Sequence, residues 1–266
     1  MRIFTFASLC LLSAIAIAKP INPGLDAKWQ FSLGALNENT KMSIRSTRLG
    51  DPETDFDLDD LGLDESEAVP QFGVRWRFAN RWALNLAYSA YGVSGDKNIS
   101  TSFNYDGITY PVNAFTKTDL DLDLFILSID YAIRRTDTSE WGVGLGLHAI
   151  DFGFDIKGSL NDVSIGESSE DFLAPLPNIR LFGRHAFSSK LLATAAIGWL
   201  GLKIDKYDGN LLVGAVALNY SFSDRWSLGI NYQFTDIDLD IDNGINEDSY
   251  EIDLSGFGLV LSYRIP

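Results

Sequence analysis

The chain has little of what most exported or catalytic proteins rely on. Its 266 residues hold one cysteine and two histidines, and 21 Lys+Arg stand against 36 Asp+Glu, a formal charge of −15. One cysteine excludes a disulfide framework and any cysteine-based zinc site. Two histidines, at 148 and 185, exclude a histidine-rich metal site. A charge of −15 repels phosphate backbones, so nucleic acid is not an expected partner. Beyond residue 18 no stretch approaches 18 consecutive apolar residues, which removes a transmembrane helix from the mature chain. Yet 46% of residues are hydrophobic and 12% aromatic, enough to bury a core.

Residues 1–18, MRIFTFASLCLLSAIAIA, have a charged start at Arg2, an apolar run from Ile3 and a small-x-small end at Ala16-Ile17-Ala18. This predicts a secretory signal peptide, with residues 19–266 as the mature domain. Cys10 lies within the apolar run after Leu9, the wrong context for a lipidated cysteine.

The remainder alternates with period two. Trp29, Phe31, Leu33 and Ala35 alternate with Lys28, Gln30, Ser32 and Gly34, and Phe72, Val74, Trp76 and Phe78 alternate with Gln71, Gly73, Arg75 and Arg77. The same pattern runs through 82–90, 125–133, 141–148, 212–222, 226–234 and 257–265. Period two over segments of about ten residues, with Gly, Ser, Ala, Asn and Gln on the polar face, predicts strands with lipid on one side and a narrow lumen on the other. Trp82, Trp141 and Trp226 each open a strand after a tight polar turn, and Phe78, Phe187 and Phe222 each close one before a turn. That is the aromatic girdle of one membrane interface. Short turns are expected near 79–81, 135–140, 188–190 and 223–225, and longer or more polar outer connections near 48–66, 94–111, 157–171, 205–210 and 242–249. The fold class expected is all-β, a transmembrane antiparallel up-and-down β-barrel of ten strands. The 94–111 stretch leaves eight or twelve open.

The alternation changes sign along several strands. After Trp226–Phe234, the even positions become Asp236, Asp238, Asp240 and Asp242, while Ile237, Leu239 and Ile241 take the other face. Asp119, Asp121 and Asp123 oppose Leu120, Leu122 and Leu124, Asp151 and Asp155 oppose Ile150, Phe152, Phe154 and Ile156, and Glu251 and Asp253 oppose Ile252 and Leu254. On the first strand Lys41, Ser43 and Arg45 oppose Met42 and Ile44. Strands kept in register and continued beyond the bilayer explain this, because outside the hydrocarbon the outer face must be polar and the inner face can be dry. The apolar upper lumen is then a packed plug or a cavity for an apolar ligand, and the outer collar is acidic. Divalent cations bridging that collar to lipopolysaccharide phosphates are one consequence; a merely solvated face is the other.

By parity the lower lumen gathers Arg75, Arg77, Arg180 and Arg184, with Asn85, Asn178 and Asn231 nearby and Asp130 as its acid. This reads as an anion-selective channel or as a structural network of buried, paired charges. No nucleophile elbow accompanies His148 or His185, and the acidic run Asp55–Glu65 lacks the spacing of a calcium loop. No catalytic, cofactor or metal residues are assigned.

The segment DLDDLGLDESEAVPQFGVRWRFANRWALNLAYSAY (Asp57–Tyr91) resembles a family of proteobacterial outer-membrane β-barrel proteins with an Asp-Asp-Leu-Gly-Leu-Asp element in the first outer loop. GITYPVNA (Gly107–Ala114), APLPNIRLFG (Ala174–Gly183) and DKYDGNL (Asp205–Leu211) are similar to it as well. The resemblance implies location, fold and handling by the outer-membrane insertion machinery, but no activity. The chain departs from such barrels in ending Arg264-Ile265-Pro266 rather than on an aromatic residue. The function expected is an integral outer-membrane barrel of structural or envelope-interacting type. A narrow pore or binding barrel for a small, apolar solute is the alternative, and a barrel enzyme acting on lipid or peptide comes third. Outer-membrane lipid and lipopolysaccharide are the partners expected; the sequence leaves the oligomeric state open.

Overall fold

A computed structural model describes residues 21–48, 54–63, 66–105, 107–204, 207–242, 244 and 246–266; the signal-peptide segment 1–18 lies outside the described residues. Ten long strands form the wall: β1 (Trp29–Arg48), β3 (Ser66–Ala79), β4 (Trp82–Asn98), β7 (Phe115–Arg135), β8 (Ser139–Leu160), β9 (Val163–Ala186), β10 (Leu191–Ile204), β11 (Tyr207–Ser221), β12 (Trp226–Asp242) and β13 (Asn246–Ile265). Each pairs antiparallel with its neighbour, and β13 returns to β1 from Trp29↔Ile265 to Arg48↔Asn246, which closes the barrel at ten strands. A short β2 (Thr54–Asp57) pairs with upper β1, and β5 (Phe103–Tyr105) and β6 (Ile108–Tyr110) form a separate hairpin. A helical turn α1 (Pro23–Asp26) precedes the first strand.

The short turns have local causes. Ser188 Oγ accepts from the Leu191 N–H (3.1 Å), Ser223 Oγ from the Trp226 N–H (3.0 Å) and Thr136 Oγ1 from the Ser139 N–H (3.0 Å). A hydroxyl that bonds its own backbone a few residues on specifies a tight turn. At the opposite end, two expectations fail. Residues 157–160, 163–171 and 207–210 lie in strands and not in extended loops: β8 and β9 meet at Asn161-Asp162, both with positive φ (51° and 65°), as a two-residue hairpin turn requires. The polar composition there belongs to strands outside the bilayer, not to a loop. The 94–111 stretch adds no strand pair to the wall; it contributes the β5–β6 hairpin.

The outer face carries the apolar belt. Leu33, Phe72, Leu86, Leu145, Leu181, Ile230 and Phe257 are exposed, and Trp82, Trp141, Trp226, Phe78, Phe187 and Phe222 are exposed beside the short turns. A soluble protein does not present this much contiguous apolar surface to water. Strands of 14–24 residues exceed the nine to eleven or so that cross a membrane, so each wall strand has a lipid-facing part and an extension. The sign change occurs without a bulge: β12 and β13 pair one to one from Trp226↔Tyr263 to Asp242↔Glu247. The inner face above the belt is the core, with Leu36, Met42, Ile44, Leu120, Leu122, Phe152, Phe154, Ile156, Ile237, Leu239 and Ile252 buried.

Two inserted segments cap this core. In the Asp59-Asp60-Leu61-Gly62-Leu63 element the acids are exposed while Leu61 and Leu63 are buried in the lumen. Gly62 has φ +79°, and its carbonyl lies so close to Gly95 on β4 that a Cβ there would collide with it. The β5–β6 hairpin folds inward, stacking Phe103 on Tyr110 (4.9 Å) and setting Tyr105 edge-on to Phe154 (5.6 Å). Tyr110 Oη bonds Ser168 Oγ at 2.9 Å.

The wall has two seams. The β3–β4 ladder ends at Gln71↔Ser89, next to Pro70, and the Leu61–Leu63 element fills the gap against β4. The β9–β10 ladder ends at Ile179↔Trp199, next to Pro177 and Pro175, although β9 runs on to Val163 and β10 to Ile204. Proline lacks the N–H a ladder needs and occurs in strands at edges. Along this second seam the inward side chains Phe172, Ala174 and Leu176 are half-exposed, whereas their counterparts on β7, β8, β12 and β13 are buried.

Candidate functional site

The lower lumen is built from inward positions of six strands. Glu140, at the start of β8, is its hub: Arg77 Nη2 lies 2.5 Å from Oε2, Arg75 Nη2 3.3 Å from Oε1 and Arg184 Nη1 3.9 Å from Oε2. Asp130 is the second centre, with Arg180 Nε at 3.2 Å and Arg75 Nη1 at 3.7 Å. Asn85 ties the two together, accepting from Arg75 Nη1 (3.0 Å) and donating to Asp130 Oδ2 (2.9 Å) and Ser128 Oγ (3.1 Å). Carboxylates this buried persist because each meets two or three cations. The parity-based residues Arg75, Arg77, Arg180, Arg184, Asn85 and Asp130 are therefore brought together. Asn178 sits higher, bonded to His148 Nδ1 at 2.7 Å, and Asn231 points across to Gln71 (3.4 Å).

Glu140 and Arg264 escape the sequence reading, the first counted with a turn and the second with the chain end. Their parity was the available signal, since Glu140 precedes the outward Trp141 and Arg264 precedes the outward Ile265. The floor was also unforeseen. Asn22 Oδ1 caps α1 through the Gly24 N–H (2.9 Å), Leu25 packs against Ala186 and Leu192, and Arg184 Nη2 and Arg135 Nη2 donate to the carbonyls of Gly24 (2.9 Å) and Leu25 (2.8 Å). Here the residues preceding β1 close the periplasmic end of the lumen. Between this floor and the packed core above, the lumen holds a cavity of about 120 Å³ bounded by His148, Asn178, Arg180 and Phe234.

The collar occupies the outer face above the belt. Its carboxylates stand opposite one another in register: Asp236↔Asp253, Asp238↔Glu251, Asp119↔Asp155 and Asp123↔Asp151. Burial and the neighbouring Asp119, Asp123 and Asp155 push the Asp121 carboxyl up, and burial with Asp253 and Asp238 does the same to Asp236. Basic side chains stand among these acids: Lys41 lies opposite Asp253 across the β1–β13 pair, and Lys117 opposite Asp96 across β4–β7. Lys157 pairs with Glu167 (2.9 Å) and Lys203 with Asp208 (2.8 Å) at exposed positions.

Neither histidine reaches the collar. His148 is enclosed in the lumen, and His185 faces outward near the periplasmic turn, bonded through Nδ1 to Ser139 Oγ at 2.8 Å and edge-on to Phe187. Among the described residues no carboxylate bonds His185, so the pair lacks the group that orients a catalytic base. No cluster of metal-ligating side chains is present among the described residues.

No family model matches the chain, and no curated protein matches its sequence. Among solved structures it is similar to the outer-membrane protease OmpT from Escherichia coli, at 12% identity and a TM-score of 0.61, over 89% of this chain and 96% of that one. It also aligns with the toluene transporter TodX of P. putida (11% identity, TM-score 0.34, 94% and 93% covered) and with Ail of Yersinia pestis (10% identity, TM-score 0.30, 87% and 99% covered), likenesses too slight to carry an argument. The first shows the fold. This chain is an outer-membrane β-barrel, and its belt of exposed apolar side chains matches that setting.

Proposed function

We propose that this barrel is a closed, non-conducting and non-enzymatic envelope protein whose working surface is its acidic collar. The collar is tied to lipopolysaccharide phosphates through divalent cations. The observation that carries this is the registered facing of like charges directly above the lipid belt. Two carboxylates at that spacing repel by roughly 1 kcal/mol even in a water-like dielectric, and like charges opposite each other weaken a sheet. A divalent cation shared between such a pair and a lipid phosphate reverses the sign. The packed core and the α1 floor support closure, and the positions of His148 and His185 support the absence of catalysis. OmpT is a protease, and its likeness to this chain is one of fold. Assignment to the proteobacterial family resembled by Asp57–Tyr91 is part of the same proposal, supported by the inward Leu61 and Leu63 that give its loop element a structural task. So is assembly by the insertion machinery.

The test compares unfolding in lipopolysaccharide-containing vesicles with Mg²⁺ or with Na⁺ at matched ionic strength. Mg²⁺ is expected to raise the midpoint of the wild type and to do little for Asp236→Asn/Asp238→Asn. Equal midpoints in both salts would retire the collar. Steady conductance in planar bilayers would overturn closure, and cleavage of a lipid or peptide substrate would overturn the non-enzymatic reading.

The seam between β9 and β10 favours a second reading, a binding barrel for an apolar solute. Phe172, Ala174 and Leu176 reach the surface there, beside Trp199 at the belt's edge. Quenching of Trp199 by a brominated apolar solute, lost in Leu176→Trp, would support it. Quenching unchanged by that substitution would count against it.

A further inference from the structure

The periplasmic half of the lumen carries more positive charge than its own carboxylates balance. Arg75, Arg77, Arg180, Arg184 and Arg264 all lie inside; Asp130 and Glu140 are the acids paired there and Asp224 acts on Arg264 from the turn, which leaves two cations in excess among these groups. The ion pairs above use Arg75, Arg77 and Arg180. Arg184 reaches Glu140 only at 3.9 Å, and Arg264 bonds Ser221 Oγ (2.9 Å), a neutral acceptor. Arg184 Nη1 and Arg264 Nε are buried and make no hydrogen bond. Arg184 is 9% exposed and Arg264 2%.

Both of these under-used guanidiniums line one cavity of about 200 Å³ just above α1. Its other polar walls are neutral side chains able to donate hydrogen bonds, among them Ser32, Thr194, Asn219 and Ser262, and no carboxylate borders it. A buried guanidinium with an N–H left unsatisfied is costly, and guanidinium is the side chain best suited to small anions. We infer that this cavity binds a small inorganic anion, held by Arg184 and Arg264 and completed by the surrounding hydroxyl and amide donors. Entry is from the periplasm past residues 22–27, whose Gly24 carbonyl is bonded by Arg184 itself, so the anion and the floor share a ligand. The anion is then part of the folded lumen, neutralising charge that the chain leaves open.

The full mature barrel, refolded in detergent, is unfolded by urea in sodium gluconate, sodium chloride and sodium phosphate at equal ionic strength; gluconate, whose single charge sits at one end of a six-carbon chain, is the reference for an anion that is not compact. A ligand at one hundred times its Kd multiplies the folded-to-unfolded ratio about a hundredfold. The wild type is expected to gain in chloride or phosphate over gluconate, Arg264→Gln to lose that gain, and the surface variant Arg81→Gln to keep it. If Arg264→Gln does not fold, ³⁵Cl line broadening on the wild type takes its place, with competition by phosphate but not gluconate expected. Midpoints equal in the three salts, a gain that survives Arg264→Gln, or line broadening that phosphate leaves unchanged would each overturn the site.

Discussion

Replacing Glu140 by Gln removes the one charge that Arg75, Arg77 and Arg184 share while keeping nearly the same volume. In the wild type its carboxylate is 1% exposed and lies 2.5–3.9 Å from the three guanidiniums. Deleting one partner of a buried ion pair destabilises by about 3–5 kcal/mol, because the partner stays buried and uncompensated. Here Arg77 and Arg184 lose the carboxylate they pair with and Arg75 keeps Asp130 alone, and no further buried carboxylate pairs with them among the described residues, so the upper end of that range is expected. Urea unfolding of the refolded barrel, followed by tryptophan fluorescence, measures it. Glu167→Gln is the control: its ion pair with Lys157 is more than half exposed and screened by solvent, so little stability is expected to go with it. The anion dependence of Glu140→Gln should also steepen, since the excess of cations grows by one. A loss no larger than that of the control would refute the view that the lower lumen is held by charge pairing.

Three further outcomes follow from other parts of the barrel. Glu38 is buried on the inner face of β1, past the lipid-facing segment 29–35, and burial pushes its carboxyl up from about 4.5 to about 7. A raised folded-state value means its contribution is fully present below the ordinary value and lost as pH rises through 7. The wild type should therefore unfold more readily at pH 8 than at pH 5, and Glu38→Gln should remove up to about 3 kcal/mol of that difference in paired urea titrations. Gly95→Ala should push the Leu61–Leu63 element off β4 and show as new proteolytic cleavage within 58–63, with the belt strands still protected. Phe152, which stacks on Phe172 at 4.7 Å and meets Tyr250 at 5.6 Å, should cost about 3–5 kcal/mol as Phe152→Ala, without opening conductance.

Most of the wall was legible from period two. Alternation assigned faces correctly along β1, β3, β4, β7, β8 and β11–β13, and the parity switch at Asp236 and Asp123 is where the outer face turns from apolar to acidic. Polarity was the weaker guide to turns. Residues 157–171 are as polar as a loop, yet only Asn161-Asp162 turn, because a strand outside the bilayer exposes polar side chains for the same reason a loop does. Glu140 and Arg264 were missed because they flank turns, where composition distracted from parity. The α1 floor had no periodic signal at all, being a single turn fixed by Asn22 and by contacts with distant strands.

The sequence by itself determined that these strands face lipid on one side, and at which residue lipid gives way to water, because alternation is a property of each strand alone. It also determined the sign of the lower lumen, through arginines spaced two apart at Arg75 and Arg77 and four apart at Arg180 and Arg184. Only the tertiary structure decided which charges meet, that four guanidiniums share two carboxylates, and where the wall is left unpaired. Those depend on closure of β13 onto β1 and on the stagger of ten tilted strands, which bring together side chains as far apart in the chain as Ser32 and Ser262.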